Sequence, residues 1–508
     1  MTDPVAGLHR YADWDGVAVT VLGFDDAGMA AADNLTHLGA QVTALAEDAD
    51  AGQLERAQLL EVLGARVEIH RGATAVLPEG TALVVASASF GDDAPLLRAA
   101  AAAGIPVWGE VELGWRLRDT RAREVPWLCV AGVNGVASTT AMLAAVLRAA
   151  GLRPVVAGAP GLSLVEVVMD PAHADTVDVV VVGADGAALR GARSMSATAA
   201  AVLNVGGDLL PPAQAHRARG LGAAYANARL ACVYTVADPG TEELVLEAEV
   251  VEGARAIGVT LGMPSIGQVG VVEELLVDRA FIVERATSAA ELATLADLTP
   301  ASAGSGSAGP GPAAVTDALA AAALARALGV PQEAVRDGLR ASAPLPHRAV
   351  AVAILAGVHW VDDAAATDLH AVRAALGAVS SGVWVVAAAC GQDVPAALDA
   401  LVAAAHDRCR AVVVVEAGSV TGGTGATPGT DVTIRGAFAR HAPDVPVFTV
   451  APDQDGPVDA AALMHRVVEV AAAAARPGDT VLLAPGADTT STGIDGDAFA
   501  AAVHGRSG

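Results

Sequence analysis

The sequence predicts an α/β protein of three doubly wound, Rossmann-like domains, with expected bounds 1–121, 122–343 and 344–508. Three observations lead there. Short Val-rich runs alternate with Ala-rich stretches in three successive series, the pattern of parallel strands covered by helices on both faces. The chain has 508 residues, enough for three domains that each bury a core. It is 53% hydrophobic but only 3% aromatic, with 54 Gly, so small side chains let helices lie close to a sheet.

In the first series VAVTVLGF (17–24) reads as a buried strand, AGMAAADNLTHLG (27–39) as a helix and AQVTALAE (40–47) as a strand. RVEIHRG (66–72) and ALVVASAS (82–89) are further strands, PLLRAAAAAG (95–104) is a helix, and 105–119 closes the unit. The second series opens with the strand WLCVAG (127–132) and the helix TTAMLAAVLRAAG (139–151). Strands follow at 153–158, 178–185, 199–205, 230–236 and 256–262. The Gly/Ser/Pro tract 299–312 predicts a mobile surface loop, before helices at 315–329 and 331–342. The third series holds VHWVDDAA (358–365), a helix at 369–379, and strands at 382–390, 411–418, 445–451 and 479–486. Its Gly/Thr-rich segment 418–430 predicts an exposed loop.

The formal net charge is −26, which repels a nucleic-acid backbone, and no basic stripe offsets it. All 31 residues counted as Lys plus Arg are Arg; the chain contains no lysine. Cys129, Cys232, Cys390 and Cys409 have no zinc-type spacing and read as reduced core residues. The polar start MTDPVAGLHRYADWDG is no signal peptide, and no run of 18 apolar residues occurs. These features predict a cytoplasmic monomer without membrane insertion and without a nucleic-acid partner.

The best-defined motif is Ala131-Gly132-Val133-Asn134-Gly135-Val136-Ala137-Ser138-Thr139-Thr140, between a hydrophobic strand and an Ala-rich helix. That is the setting of a phosphate-binding loop, where glycines let backbone N–H groups approach phosphate and the helix N-terminus adds positive potential. Such a loop also needs a lysine after its second Gly and then a metal-binding hydroxyl. Val136 and Ala137 stand there, so the loop lacks its charge and its metal ligand.

Residues 126–158 resemble the opening of the central domain of Mur ligases, whose loop reads TGTNGKTTT. Segments 104–117, 194–205, 225–239, 269–282, 347–367 and 477–486 extend the resemblance over nearly the whole chain, closest to the D-glutamate-adding branch. It implies a uridine-nucleotide-binding N-terminal domain, a central ATPase domain and a third Rossmann-like domain. The implied reaction activates a muramoyl carboxylate as an acyl phosphate with ATP and Mg²⁺, which an amino-acid amine then attacks. On this chain the phosphate lysine is Val136, and the magnesium-holding acid of the ExSS element is Gly183, with Asp185 two residues on. Both histidines of the PDHLDWH run are gone, although Asp208 remains, and no lysine stands between Arg217 and Ala224 to be carbamylated. Ala313, Ala314 and Asp317 replace HNxxN; the lysine of DDSKATN is Ala365; GGxxK reads Ala387 to Gly391; the D-glutamate segment is Asp488 to Gly493.

Retained positions imply a remnant ATP site of Gly132, Asn134, Gly135, Ser138, Thr139, Arg348 and Asp363, and a remnant uridine-nucleotide site of Gly23, Gly28 and Ser87. Asn204, His347, Asp362 and Thr367 also match, in roles a turn or a strand end explains equally. Asp25 and Asp26 would repel a diphosphate over the first loop. The expectation is a pseudoenzyme without a catalytic residue, metal or cofactor. Its partners would be cell-wall synthesis proteins or a UDP-sugar precursor. Residual or altered ATP-dependent amide ligation is the alternative.

Overall fold

The computed structural model describes residues 5, 7–159, 161–206, 220–298, 310–391, 395–416, 430–452, 458–487, 489 and 492–506. Most of the loop tract at 299–312 and of the segment 418–430, together with Asp208 and Asp488, lies outside them. The chain forms three sheets. Apart from short segments, one compact unit runs up to Ser342 and holds the first two sheets, and a second begins at Ala343 and holds the third.

The first sheet contains β1 (Ala18–Leu22), β2 (Gln41–Ala46), β3 (Arg66–Ile69), β4 (Leu83–Ala86) and β5 (Val107–Trp108), in the order β3-β2-β1-β4-β5, all parallel. Its helices are α1 (Asp26–His37), α2 (Ala51–Val62), α3 (Pro95–Ala103) and α4 (Glu110–Leu117). Asp50 caps α2 in a reciprocal box with Gln53, and Pro95 opens α3 at a position that needs no N–H partner. One core cluster packs Leu22, Leu45, Val84 and Leu96 together.

The second sheet runs through β6 (Trp127–Ala131), β7 (Pro154–Gly158), β8 (Val179–Ala184), β9 (Ala199–Val202), β10 (Ala231–Thr235), β11 (Arg255–Val259), β12 (Gln268–Val272), β13 (Leu275–Asp278) and β14 (Ala290–Thr294). The order is β14-β13-β12-β11-β10-β9-β6-β8-β7. Its helices are α5 (Val136–Ala149), α6 (Leu164–Met169), α7 (His173–Thr176), α8 (Pro239–Leu246), α9 (Pro312–Ala327) and α10 (Gln332–Ala341). Strands β6, β8 and β9 are buried along their whole length, which explains why they read as continuous apolar runs rather than alternations.

The third sheet contains β15 (Val350–Leu355), β16 (Val358–Asp362), β17 (Gly382–Ala387), β18 (Cys409–Val415), β19 (Val447–Val450) and β20 (Thr480–Leu483), in the order β15-β16-β20-β17-β18-β19. The helices are α11 (Leu369–Gly377), α12 (Pro395–Ala405), α13 (Thr430–His441), α14 (Ala460–Ala474) and α15 (Gly496–Gly505). Separate core clusters include alternate residues of the same strands, with Trp384, Val386 and Phe438 in one, Val383, Val385 and Phe499 in the other.

The expected parallel sheets carry antiparallel edges. Strands β12, β13 and β14 pair antiparallel, and so do β15 and β16. Both β12–β13 and β15–β16 are joined by two-residue loops, with positive φ at Glu273 (55°) in one and at Ala356 (50°) and Gly357 (78°) in the other. Left-handed conformation at such turns is normally announced by Asn-Gly or Asp-Gly. Glu-Glu and Ala-Gly announce it poorly, so the hairpins escape a reading by turn residues.

Candidate active site

The loop after β6 has the backbone of a phosphate cradle. Gly135 is left-handed (φ 86°) and caps α5, with Val136 as the first helical residue. Two of the loop's donors are satisfied internally. The Asn204 side-chain carbonyl accepts from the Val133 and Asn134 N–H groups at 3.1 and 3.0 Å, and its amide donates to the Asn134 carbonyl at 2.9 Å. Asp317, on α9, is 8% exposed, and a Cβ added to Gly135 would lie 2.5 Å from its carboxylate oxygen. A carboxylate therefore stands against the turn at which phosphate charge would collect.

Val136 and Gly183, the positions of the implied phosphate lysine and metal acid, are neighbours. A Cβ on Gly183 would lie 3.3 Å from Val136 Cγ1 and 2.9 Å from the Ala159 carbonyl oxygen. Val136 is buried and belongs to the core of this sheet. The two positions thus meet as an apolar contact with no room for a longer side chain at Gly183. Asp185 does not substitute: β8 ends at Ala184, and the Asp185 carboxylate caps the following turn by accepting from Ala188 N–H at 2.7 Å. Ser138 is half-buried, whereas Thr139 is fully buried and its hydroxyl has no hydrogen-bond partner, a defect that typically costs about 1–3 kcal/mol. Gly132 packs against Leu203.

In the first sheet, Gly23, Gly28 and Ser87 do come together. Gly23 is left-handed (φ 102°), a Cβ there would lie 2.7 Å from Ser87 Cβ, and one on Gly28 would meet the Gly23 carbonyl at 2.2 Å. This anion position is also occupied from within. Asp25 caps α1, accepting from Gly28 N–H at 2.9 Å, and its other oxygen accepts the Ser87 hydroxyl. Ser87 in turn contacts the Ser89 hydroxyl at 2.8 Å.

In the third-sheet unit, the Arg348 charge acts on Asp363. The Asp363 carboxylate accepts from Ala349 N–H at 3.0 Å. Burial raises its pKa to about 6, against the opposing influences of that hydrogen bond and of the Arg348 charge. Asp362 ends β16 and holds His347 Nδ1 at 2.7 Å, which raises the imidazole pKa. His347 and Ala349 are both left-handed (φ 57° and 49°), and the His347 carbonyl accepts from Ala365 N–H at 3.0 Å. Ala365 therefore occupies its loop through the backbone. Cys390 is fully buried, and burial pushes its thiol pKa upward.

At these positions the loop offers a nucleotide no cation at Val136 and no metal-binding hydroxyl at Ala137. The Val133 and Asn134 N–H groups bond to Asn204, Asp317 crowds Gly135, and Val136 closes over Gly183. Among the described residues no three His, Cys, Asp or Glu side chains converge as a metal-ligand set. The sequence singled out the loop and its missing groups; it did not disclose the approach of Asp317, or that Val136 and Gly183 touch across 47 residues of chain.

No protein-family model matches the chain. It is 44% identical over 500 residues to the UDP-N-acetylmuramoylalanine–D-glutamate ligase of Streptomyces avermitilis, covering 97% of this chain and 99% of that one. The chain belongs to the UDP-N-acetylmuramoylalanine–D-glutamate ligase family. The ligase of the same name from Streptomyces coelicolor is also 44% identical, over the same share of both chains. Among solved structures, MurF from Acinetobacter baumannii aligns with 94% of this chain and 88% of its own at a TM-score of 0.52 and 16% identity, a likeness of fold alone. The Streptomyces ligases align over nearly all of their own length with this chain. Among the described residues no helix is long and apolar enough to cross a membrane.

Proposed function

We propose that this chain is a catalytically silent member of its ligase family, acting by binding rather than by turnover in the synthesis of peptidoglycan precursors. The observation that carries the reading is the apolar contact of Val136 with Gly183, where the resemblance implies a phosphate lysine and a metal acid. Removing one preorganised charge-stabilising group costs about 10²–10³ in rate. Here the phosphate lysine, the metal acid and the substrate lysine at Ala365 are all replaced, and a chain without lysine holds none to relocate. Arginine cannot be carbamylated in their stead, because its guanidinium stays protonated. The internal carboxylates Asp25 and Asp317 support the same reading by competing with phosphate at both glycine-rich loops. On this proposal 1–121, 122–343 and 344–508 keep the family's three-domain division, with the nucleotide-binding roles of the first two weakened. The partner is a cell-wall synthesis protein or a UDP-linked precursor held without reaction.

A second reading, residual or altered amide ligation, is favoured by 44% identity over essentially full length and by the intact turn at Gly135. One assay separates the two. The full chain is incubated with UDP-N-acetylmuramoyl-L-alanine, D-glutamate and Mg·ATP, and ADP release is followed. The silent reading expects no release above the blank; release that depends on D-glutamate establishes the second.

A further inference from the structure

At the end of the second sheet opposite the glycine loop, the chain forms a crevice of about 280 Å³. Residues 115–127, which lead into β6, make one wall, and the turn into α7 makes another. Strand β6 separates the crevice from the loop, so by the strand rise the two lie roughly 16 Å apart. None of the positions in the family's chemistry touches it.

The charges around the crevice are unevenly matched. The Arg118 guanidinium lies 3.6 Å from the centroid of the Trp115 ring, half-buried, and one of its N–H groups donates to the Trp115 carbonyl. Among the described residues it belongs to no ion pair, although the Glu124 charge acts on it favourably. The carboxylates nearby are already engaged. Asp119 accepts the Tyr11 hydroxyl and the N–H groups of Arg121 and Ala122. Glu124 pairs with Arg229, and Asp170 caps the turn by accepting from Ala172 N–H at 2.8 Å. Arg123 braces the far wall through the Ala174 and Val177 carbonyls at 2.9 and 2.7 Å. Burial lowers the Arg118 pKa, and it lowers that of His173, so the imidazole contributes a neutral donor or acceptor. A partly desolvated guanidinium with no described carboxylate in ion-pair contact, stacked on an indole at the side of a cavity, is a site for an oxyanion.

We infer that this crevice binds a small organic anion, carrying a carboxylate or a phosphoryl group, through the Arg118 guanidinium. The Trp115 face fixes the plane of the guanidinium, so two of its N–H groups can meet two oxygens of one ligand. The cavity volume restricts the occupant to a small metabolite. The site is independent of any ligase activity.

Trp115 and Trp127, whose rings meet edge to face at 5.0 Å, report on the crevice. Tryptophan fluorescence of the full chain is titrated with inorganic phosphate and, separately, with succinate, with ionic strength held constant by chloride. A saturable change with phosphate alone assigns a phosphoryl ligand, and one with succinate alone assigns a carboxylate; saturation with both assigns a general oxyanion site. In each case Arg118→Gln, shown folded by circular dichroism, should raise the midpoint at least tenfold. Thr120→Phe, at an exposed position on the rim, should do the same by filling the crevice, and carries the test alone if Arg118→Gln does not fold. No saturable change with either probe, or midpoints unmoved in the folded variants, overturns the inference.

Discussion

Substituting Gly183→Ala tests the geometry on which the silent reading rests. Gly183 lies on β8 between β6 and β7, and its carbonyl accepts from Ala159 N–H at 2.9 Å. The backbone has little space to retreat toward β7, because Gly158 approaches that carbonyl so closely that a Cβ there would stand 2.2 Å from it. The new methyl meets the Ala159 carbonyl at 2.9 Å and Val136 Cγ1 at 3.3 Å. Overpacking of this kind costs about 1–3 kcal/mol, and with one contact against backbone we expect about 2 kcal/mol. Val136→Ala alone removes buried methyl groups and should cost about 1 kcal/mol. The double variant relieves the side-chain clash but not the clash with Ala159, so its loss should be smaller than the sum of the singles by about 0.5–1 kcal/mol. Because the chain has two compact units, a single unfolding midpoint would mix them. Urea-dependent hydrogen exchange of β8 amides, read by mass spectrometry, follows this sheet alone. A Gly183→Ala protein within about 0.5 kcal/mol of the native chain, the range of ordinary surface substitutions, would refute the close contact and with it the argument that a metal acid has no room there.

Two further outcomes follow from the same sites. Calorimetry should show ATP binding to the native chain no tighter than about millimolar, roughly 4 kcal/mol, with Val136→Lys gaining about tenfold and still no hydrolysis. Micromolar Mg·ATP binding by the native protein would mean the loop keeps its function. Asp363 has a folded pKa of about 6, above that of a free carboxyl, so its contribution to stability is full below about pH 4 and is lost as pH rises through 6. Asp363→Asn retains an acceptor for Ala349 N–H and should therefore be more stable than the native chain by about 1–2 kcal/mol at pH 8, with no gain at pH 4. Urea midpoints of the third-sheet unit at the two pH values decide this; an equal difference at both would show that the carboxyl does not titrate on folding.

The sequence by itself determined the fold class, because buried parallel strands such as VVVVGA at β8 and AAAV at β9 leave continuous apolar runs between Ala-rich helices. It determined the glycine loop as well, since Gly135 and the helix after it are a local matter of φ and capping. It also showed which charged groups the loop lacks. Local patterns did not reach the antiparallel edges, whose turns at Glu273 and Ala356 use residues with no strong left-handed preference. Only the tertiary structure could bring Asp317 against Gly135, Val136 against Gly183, and Asp25 to the Ser87 hydroxyl. Each of these contacts joins positions far apart in the chain, through strand order and helix placement rather than through spacing. The same holds for Arg118: the sequence supplies an arginine three residues after a tryptophan, but that no described carboxylate reaches ion-pair contact with it depends on where Asp119, Glu124 and Asp170 find their partners.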